Sequence, residues 1–232
     1  MNPEMPTPAT DTGPTDGRRW LRTALVAVIA AGLLVIGGAS AVALGIGRTD
    51  APTADSVSAG FAQDMSRHHR QAVQMANLAL ECSEDPEVRQ LAFDISATQT
   101  GQVGRMQGWL SLWGLPATNR DLMTWMAGDG HGGHGGPAHS MLTEDGRMPG
   151  MASTEELAEL RSLTGTGFDV RFLQLMTRHH QGGFEMAEFG AEHAEVDVVR
   201  GLARVMAETQ AAEVGTMIDL ITARGGQPLP EP

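Results

Sequence analysis

The feature that most constrains this chain is an internal repeat. The segment Met65-Ser66-Arg67-His68-His69 returns 111 residues later as Met176-Thr177-Arg178-His179-His180. Aligned without a gap, residues 61–110 and 172–221 share 19 identical positions out of 50. The apolar spacing in both copies is helical, and a turn divides each copy into two helices. In the first copy, Asp85 as N-cap followed by Pro86 predicts the start of the second helix. Since one helical hairpin cannot bury its own apolar face, the two should pack as a four-helix bundle with a pseudo-twofold axis.

The predicted fold class is therefore all-α, with one transmembrane helix before the bundle. The bundle is expected over residues 56–226, with hairpin repeats at 56–114 and 166–225 and a His-, Met- and Gly-rich crossover at 115–165. Within the crossover, Ser153-Thr154-Glu155-Glu156 is a capping box that predicts a short helix. Residues 47–55 form a linker and residues 227–232 a tail.

The N-terminal region predicts export of the bundle. Residues 1–22 are expected to be a disordered cytoplasmic tail, and the apolar run at 23–46 is long enough to cross a bilayer. Arginines at the start of the run place the N-terminus in the cytoplasm, as in a single-pass protein of a bacterial cell membrane. Ala39-Ser40-Ala41 resembles a cleavage site, so a signal peptide and a secreted bundle are the alternative.

Charge and cysteine content exclude several classes of protein. The net charge is −12 and all 16 basic residues are arginine, so no nucleic-acid-binding surface is expected. Cys82 is the single cysteine, which excludes an internal disulfide and a cysteine-based zinc finger. A metal site would consist of histidine, methionine and carboxylate ligands.

Helical geometry places the repeated histidines and methionines on one face. At 100° per residue, Met65, His68, His69 and Met75 fall within an arc of about 120°. The second helix of each repeat carries an inward stripe with one further methionine and one glutamine, Gln99 or Gln210, that we expect to partner or orient the histidines. The predicted metal ligands are Met65, His68, His69, Met75 and Met106 in the first repeat and Met176, His179, His180, Met186 and Met217 in the second.

These residue types favour copper. Thioether sulfur is a soft ligand that prefers Cu(I), and imidazole is compatible with it. A di-iron bundle needs Glu-x-x-His, whereas this chain has Met-x-x-His in both repeats. Zinc, another divalent ion, or a metal-free interaction module with a packed His/Met core are the alternatives. No set of nucleophile, base and oxyanion donor is evident, so a binding role is favoured over an enzymatic one.

The crossover holds a second group of potential ligands. A glycine-rich tract is typical of a flexible linker, but six histidines and methionines within 21 residues also suit metal capture. The auxiliary candidates are His131, His134, His139, Met141, Met148 and Met151.

Both repeats resemble the bacterial family known as domain of unknown function 305. The second copy carries the fuller pattern, Phe168-Asp169-x2-Phe172-Leu173-x2-Met176-x2-His179-His180-x2-Gly183-x2-Met186-Ala187, and further matches are Gln210-x2-Glu213-x3-Met217 and Met148-Pro149-Gly150-Met151. The resemblance implies a ferritin-like bundle, export, and copper binding and tolerance through the ten ligands named above. Glu213, part of the matching pattern, is expected to orient the ligands as Gln99 and Gln210 do, and a copper-donating or copper-accepting protein is an expected partner. Gln102 replaces that acid in the first copy, so the second site is expected to be the stronger.

Overall fold

The computed structural model describes residues 16–43, 51–127, 142–230 and 232. In this part of the chain every regular element is helical, as predicted. The helices are α1 Asp16–Ala43, α2 Val57–Cys82, α3 Pro86–Leu112, α4 Thr154–Ser162, α5 Gly165–His193 and α6 Asp197–Ala223, with one 3₁₀ turn at Thr124–Met126. The chain divides after Asp50 into two compact units, which are considered separately.

Helix α1 is the apolar element of the N-terminal unit. Its window Trp20–Gly38 has a mean hydropathy of 2.1, and by length and composition this helix fits either a membrane anchor or a signal sequence. The helix begins at Asp16, so residues 16–22, which we assigned to the tail, are helical. Arginine and leucine in this segment have high helix propensity, which the apolar pattern alone does not register.

Local sequence signals set the helix ends in the second unit. The Ser56 side chain caps α2 by accepting from the backbone N–H of Ala59. The predicted Asp85-Pro86 start of α3 is confirmed, with the Asp85 side chain accepting from the backbone N–H groups of residues 87 and 88. The capping box at Ser153 is also confirmed, and it opens α4.

The two repeats form the two hairpins of the bundle. Helix α2 packs along α3, α5 packs along α6, and α2 and α5 pack against each other between the hairpins. The buried apolar residues divide into two clusters: Met65 of α2 shares a cluster with Met186 of α5, and Met75 shares the other with Met176. Along α2 the chain passes the cluster of Met65 before that of Met75, whereas along α5 it passes the two clusters in the reverse order. The two helices therefore run antiparallel.

Candidate metal centre

The four repeated histidines lie in the middle of the bundle, between the two clusters. His68, His69 and His180 are 0% exposed and His179 is 1% exposed. The rings of His68 and His179 stack across the α2/α5 contact, with centroids 3.8 Å apart and planes at 36°. The structure thus brings together the histidines that the repeat predicted on two separate helices.

Two histidines have equivalent partners on the outer helices. The Nε2–H of His69 donates to Oε1 of Gln102 over 2.7 Å, and the Nε2–H of His180 donates to Oε2 of Glu213 over the same distance. The 111-residue shift relates both donors and both acceptors. The pair in the second repeat has a carboxylate acceptor, which makes a stronger hydrogen bond than an amide.

Gln99 and Gln210, predicted to partner the histidines, have a different environment. They are 3% and 4% exposed, and the Oε1 atom of each has no hydrogen-bond partner within the described residues. Gln210 lies where the two hairpins come close together. A Cβ added to Gly183 would lie 2.7 Å from Oε1 of Gln210 and 3.0 Å from Cε1 of His68. Glycine at position 183 is therefore needed to let His68 and Gln210 approach α5.

A short part of the crossover, residues 148–152, covers the stacked histidines, and we call it the strap. Pro149 accepts a 3.1 Å hydrogen bond from Nε2–H of His68 through its carbonyl oxygen. The strap reaches α5 because residue 182 is glycine: a Cβ there would lie 2.3 Å from the Pro149 carbonyl. Gln71 holds its far end through two hydrogen bonds with the backbone of Ala152.

Each of the four histidines retains one ring nitrogen without a partner among the described residues. These nitrogens are Nδ1 of His68, His69 and His180 and Nε2 of His179. A buried polar atom without a partner costs about 1–3 kcal/mol, so four in one layer are unusual for a purely structural core. An unprotonated imidazole nitrogen is also the atom that coordinates a transition metal.

Burial keeps the rings of His68, His69 and His179 neutral. Burial away from water lowers the pKa of His68 to about 4, with a further lowering by His180. Burial, followed by the neighbouring His68, lowers the pKa of His69 to about 3, and the same two causes lower the pKa of His179 well below its ordinary value. Neutral imidazole is the form that binds metals, so protons compete little with an ion near neutral pH.

All ten predicted ligands are buried, but their grouping differs from the repeats. Met65, Met106 and Met186 belong to one cluster, together with Met148 of the strap. Met75, Met176 and Met217 belong to the other. Each cluster therefore combines methionines from both repeats, and the histidine layer separates the two clusters along α2 and α5.

The auxiliary candidates in the crossover divide between described and undescribed positions. Met148 is fully buried, and Met151 is partly buried beside the same cluster. His131, His134, His139 and Met141 lie outside the described residues. Over the described ranges, no three His, Cys, Asp or Glu side chains come together as a metal site.

The fold and this layer define a class: a helical bundle with a buried core of histidine and methionine. The chain belongs to the family of domain of unknown function 305, whose sequence model matches residues 58–221. The resemblance inferred from the His-His motifs is thereby confirmed.

Solved structures agree with this assignment. A DUF305 protein of Streptomyces coelicolor, whose description suggests secretion, is 43% identical over 77% of this chain and 100% of its own, with a TM-score of 0.67. A DUF305 fragment from Deinococcus radiodurans is 33% identical over 74% of this chain and 97% of its own, with a TM-score of 0.56. CopM in its Cu(II)-bound form is 26% identical over 72% of this chain and 97% of its own, with a TM-score of 0.53. No curated protein sequence matches the chain.

Proposed function

We propose that this protein is an exported copper-binding protein that sequesters or hands over Cu(I) through the buried His/Met core. The observation that carries the proposal is the layer of four buried histidines, each with one unpartnered ring nitrogen. Methionine clusters on both sides supply soft, uncharged ligands. In this view the ion is a cargo, and a copper-donating or copper-accepting protein would exchange it.

Ligand chemistry favours copper over harder ions. Methionine sulfur binds Cu(I) well and binds Mg²⁺, Ca²⁺ or Mn²⁺ poorly. A monovalent ion also brings less charge into a buried site with neutral ligands than Zn²⁺ or Fe²⁺ does. The likeness to CopM, known in a Cu(II)-bound form, supports the same element.

The apolar helix α1 supports a location outside the cytoplasm. Its window Trp20–Gly38 is long enough to anchor the protein, and arginine precedes it on the N-terminal side. We propose a single-pass anchor with the bundle on the outer side of a bacterial cell membrane. Cleavage of the same segment would instead release the bundle.

The second candidate is an interaction module that binds no metal. The stacking of His68 on His179 favours it, because stacked rings fill a core efficiently. Zinc or iron storage is a further alternative, but it leaves the methionine clusters without a role.

Anaerobic Cu(I) titration of the full chain in detergent against a chromogenic chelator tests the proposal. We expect the protein to withdraw Cu(I) from the chelator, and we expect a hundredfold excess of Zn²⁺ to leave the bound copper in place. Loss of all Cu(I) to a weak chelator would favour the interaction module. Displacement of copper by zinc would favour the divalent alternative.

His180 has a carboxylate partner and His69 has an amide partner, so we expect the two halves of the metal centre to bind Cu(I) with different affinity. Glu213→Gln should lower the affinity for Cu(I) about 10- to 100-fold, because a carboxylate partner makes the coordinating imidazole more basic and fixes its tautomer. Glutamine preserves the acceptor oxygen, as Gln102 shows in the first repeat. Chelator competition measures the difference.

Two variants serve as controls for this prediction. Glu208→Gln removes the same charge from an exposed position on α6 and should leave affinity unchanged. Gln102→Glu should raise affinity, since it gives His69 the partner that His180 has. Equal behaviour of Glu213→Gln and Glu208→Gln would mean that Glu213 does not act on the ion.

A further inference from the structure

A cavity of about 330 Å³ lies beside the strap and has methionines in its wall. Met123, Met126 and Met186 line it, together with Pro149 and Glu185. Only Met186 is among the ligands predicted from the repeat. The other two methionines belong to the 3₁₀ turn and its preceding residue, in a segment to which the sequence analysis gave no role.

The turn that presents these methionines is held in a strained conformation. Met123 has φ of 61°, in the left-handed region that residues other than glycine, asparagine and aspartate rarely occupy. Its backbone N–H donates to Oδ2 of Asp64 over 2.8 Å, and Nε1–H of Trp125 donates to the same oxygen over 2.9 Å. Asp64 is 0% exposed. A buried carboxylate thus maintains a backbone strain of about 1–3 kcal/mol, and strain of this kind clusters at binding sites.

One turn brings two of these methionines to the same cavity. Met123 is the N-cap of the 3₁₀ turn and Met126 its last residue, and the backbone N–H of Met126 donates to the carbonyl oxygen of Met123 over 3.1 Å. Met186 approaches from α5, so the sulfur atoms come from two separate elements. Methionine in a core normally fills space, whereas these three side chains border unfilled volume.

The lining suits a soft monovalent ion. Thioethers are the protein ligands that select Cu(I) and Ag(I) over hard cations. Glu185 is exposed and supplies one negative charge to offset the positive charge of the ion. Among the described residues no histidine lines the cavity, so protons should compete with metal much less at these thioethers than at imidazole nitrogens.

We propose that this cavity is a second, methionine-lined site for Cu(I) or Ag(I). It deepens the copper function proposed above, yet it uses Met123 and Met126, which are separate from the histidine layer. Pro149 connects the two places, since it lines the cavity and its carbonyl accepts the hydrogen bond from His68. Pro149 would therefore be in contact with an ion in the cavity on one side and with His68 on the other.

Native mass spectrometry of the full chain in detergent with Ag(I) tests this site. Met123→Leu/Met126→Leu preserves volume and apolarity and should lose one bound Ag(I) relative to wild type. A variant with leucine at His68 and His179 should keep that ion while losing those of the histidine layer. If the methionine variant keeps the ion, the cavity proposal fails. If the histidine variant loses no ion, the proposal for the histidine layer fails.

Met206→Leu is the matched control, because Met206 is buried in the same cluster but does not line the cavity. It should bind as many ions as wild type. A Met123→Leu/Met126→Leu variant with wild-type stoichiometry and affinity would overturn the proposal, as would an equal loss in Met206→Leu.

A spectroscopic measurement covers the case in which a variant does not fold. In wild type labelled with ¹³C at the methionine methyl groups, Ag(I) should shift the resonances of Met123 and Met126, assigned from the single leucine variants. Saturation of the protein with Ag(I) without a shift at either residue would equally overturn the site.

Discussion

Replacing His68 and His179 together by leucine should remove the stabilisation that copper in the histidine layer gives the bundle, while leaving the metal-free protein folded. The two rings stack at 3.8 Å between α2 and α5, and each has one unpartnered buried nitrogen. Leucine has a similar volume and no polar atom. Relief of two desolvated nitrogens therefore offsets the loss of the ring contact and of the hydrogen bond from His68 to the Pro149 carbonyl. We expect the free energy of unfolding without metal to change by less than about 2 kcal/mol.

The additional stability that bound metal provides should respond to this substitution differently from the stability of the metal-free protein. A ligand that binds one site of the folded state at 100 times its dissociation constant stabilises by about 2.7 kcal/mol. The leucine variant should lose this increment for the histidine layer and keep only the part that an ion in the methionine cavity contributes. Chemical denaturation with and without Ag(I) measures both quantities. His193→Leu, at an exposed position near the end of α5, should retain the wild-type increment. A wild-type protein that gains nothing from metal, with a leucine variant that unfolds, would support the metal-free module.

Acidification should destabilise the metal-free bundle between about pH 6.5 and pH 4. Well above pH 6.5, His68, His69 and His179 are neutral in both the folded and the unfolded state, so their protonation contributes nothing. Below it the unfolded chain takes up protons, whereas the folded state resists because burial lowers the pKa of His68 to about 4. Stability therefore falls as the pH falls, and the fall ends once the folded state is protonated too.

The expected loss of folding stability is large for a domain of this kind. His68 alone accounts for about 3 kcal/mol across that range, a large part of the 5–15 kcal/mol of a typical domain. His69 and His179 act in the same direction, because burial lowers their pKa values as well. Urea unfolding at pH 7.5, 5.5 and 4.5 measures the slope. The leucine variant at positions 68 and 179 should show a shallower slope, and His193→Gln should match wild type. A flat wild-type profile would contradict the burial argument.

Much of the bundle was predictable because the repeat constrains it twice. The spacing of His68, His69 and Met75 indicated one buried helical face, and the second copy repeated it, so both hairpins and their packing followed. Ser153 and Asp85 predicted helix starts through side chains that satisfy the first backbone N–H groups. Such local signals need no knowledge of the tertiary structure.

The arrangement inside the core was less accessible to sequence reasoning. Gln99 and Gln102 are three residues apart and share one side of α3, and the crossing of the helices decides which of them reaches His69. Our prediction assigned this role to Gln99, whereas Gln102 has it in the structure. The repeat offered a signal, because Gln102 aligns with Glu213 under the shift that aligns the histidines.

The methionine cavity had no periodic signal at all. It depends on the path of the crossover and on the hydrogen bonds of Asp64 to Met123 and Trp125, which join positions 59 and 61 residues apart. Long-range contacts of this kind cannot be derived from the spacing of residues along one helix. The low pKa of the buried histidines likewise depends on the complete packing around them.

Both methionine clusters contain residues from both repeats, and this bears on how such a core could arise. Each cluster takes ligands from both hairpins, so an isolated hairpin holds half of two clusters and all of neither. A shorter ancestral chain with one hairpin would have formed both clusters only as a symmetric dimer, with occupancy limited by protein concentration. Covalent linkage through the crossover makes the second half available at a fixed effective concentration. It also allows one half to differ from the other, as Glu213 and Gln102 now do.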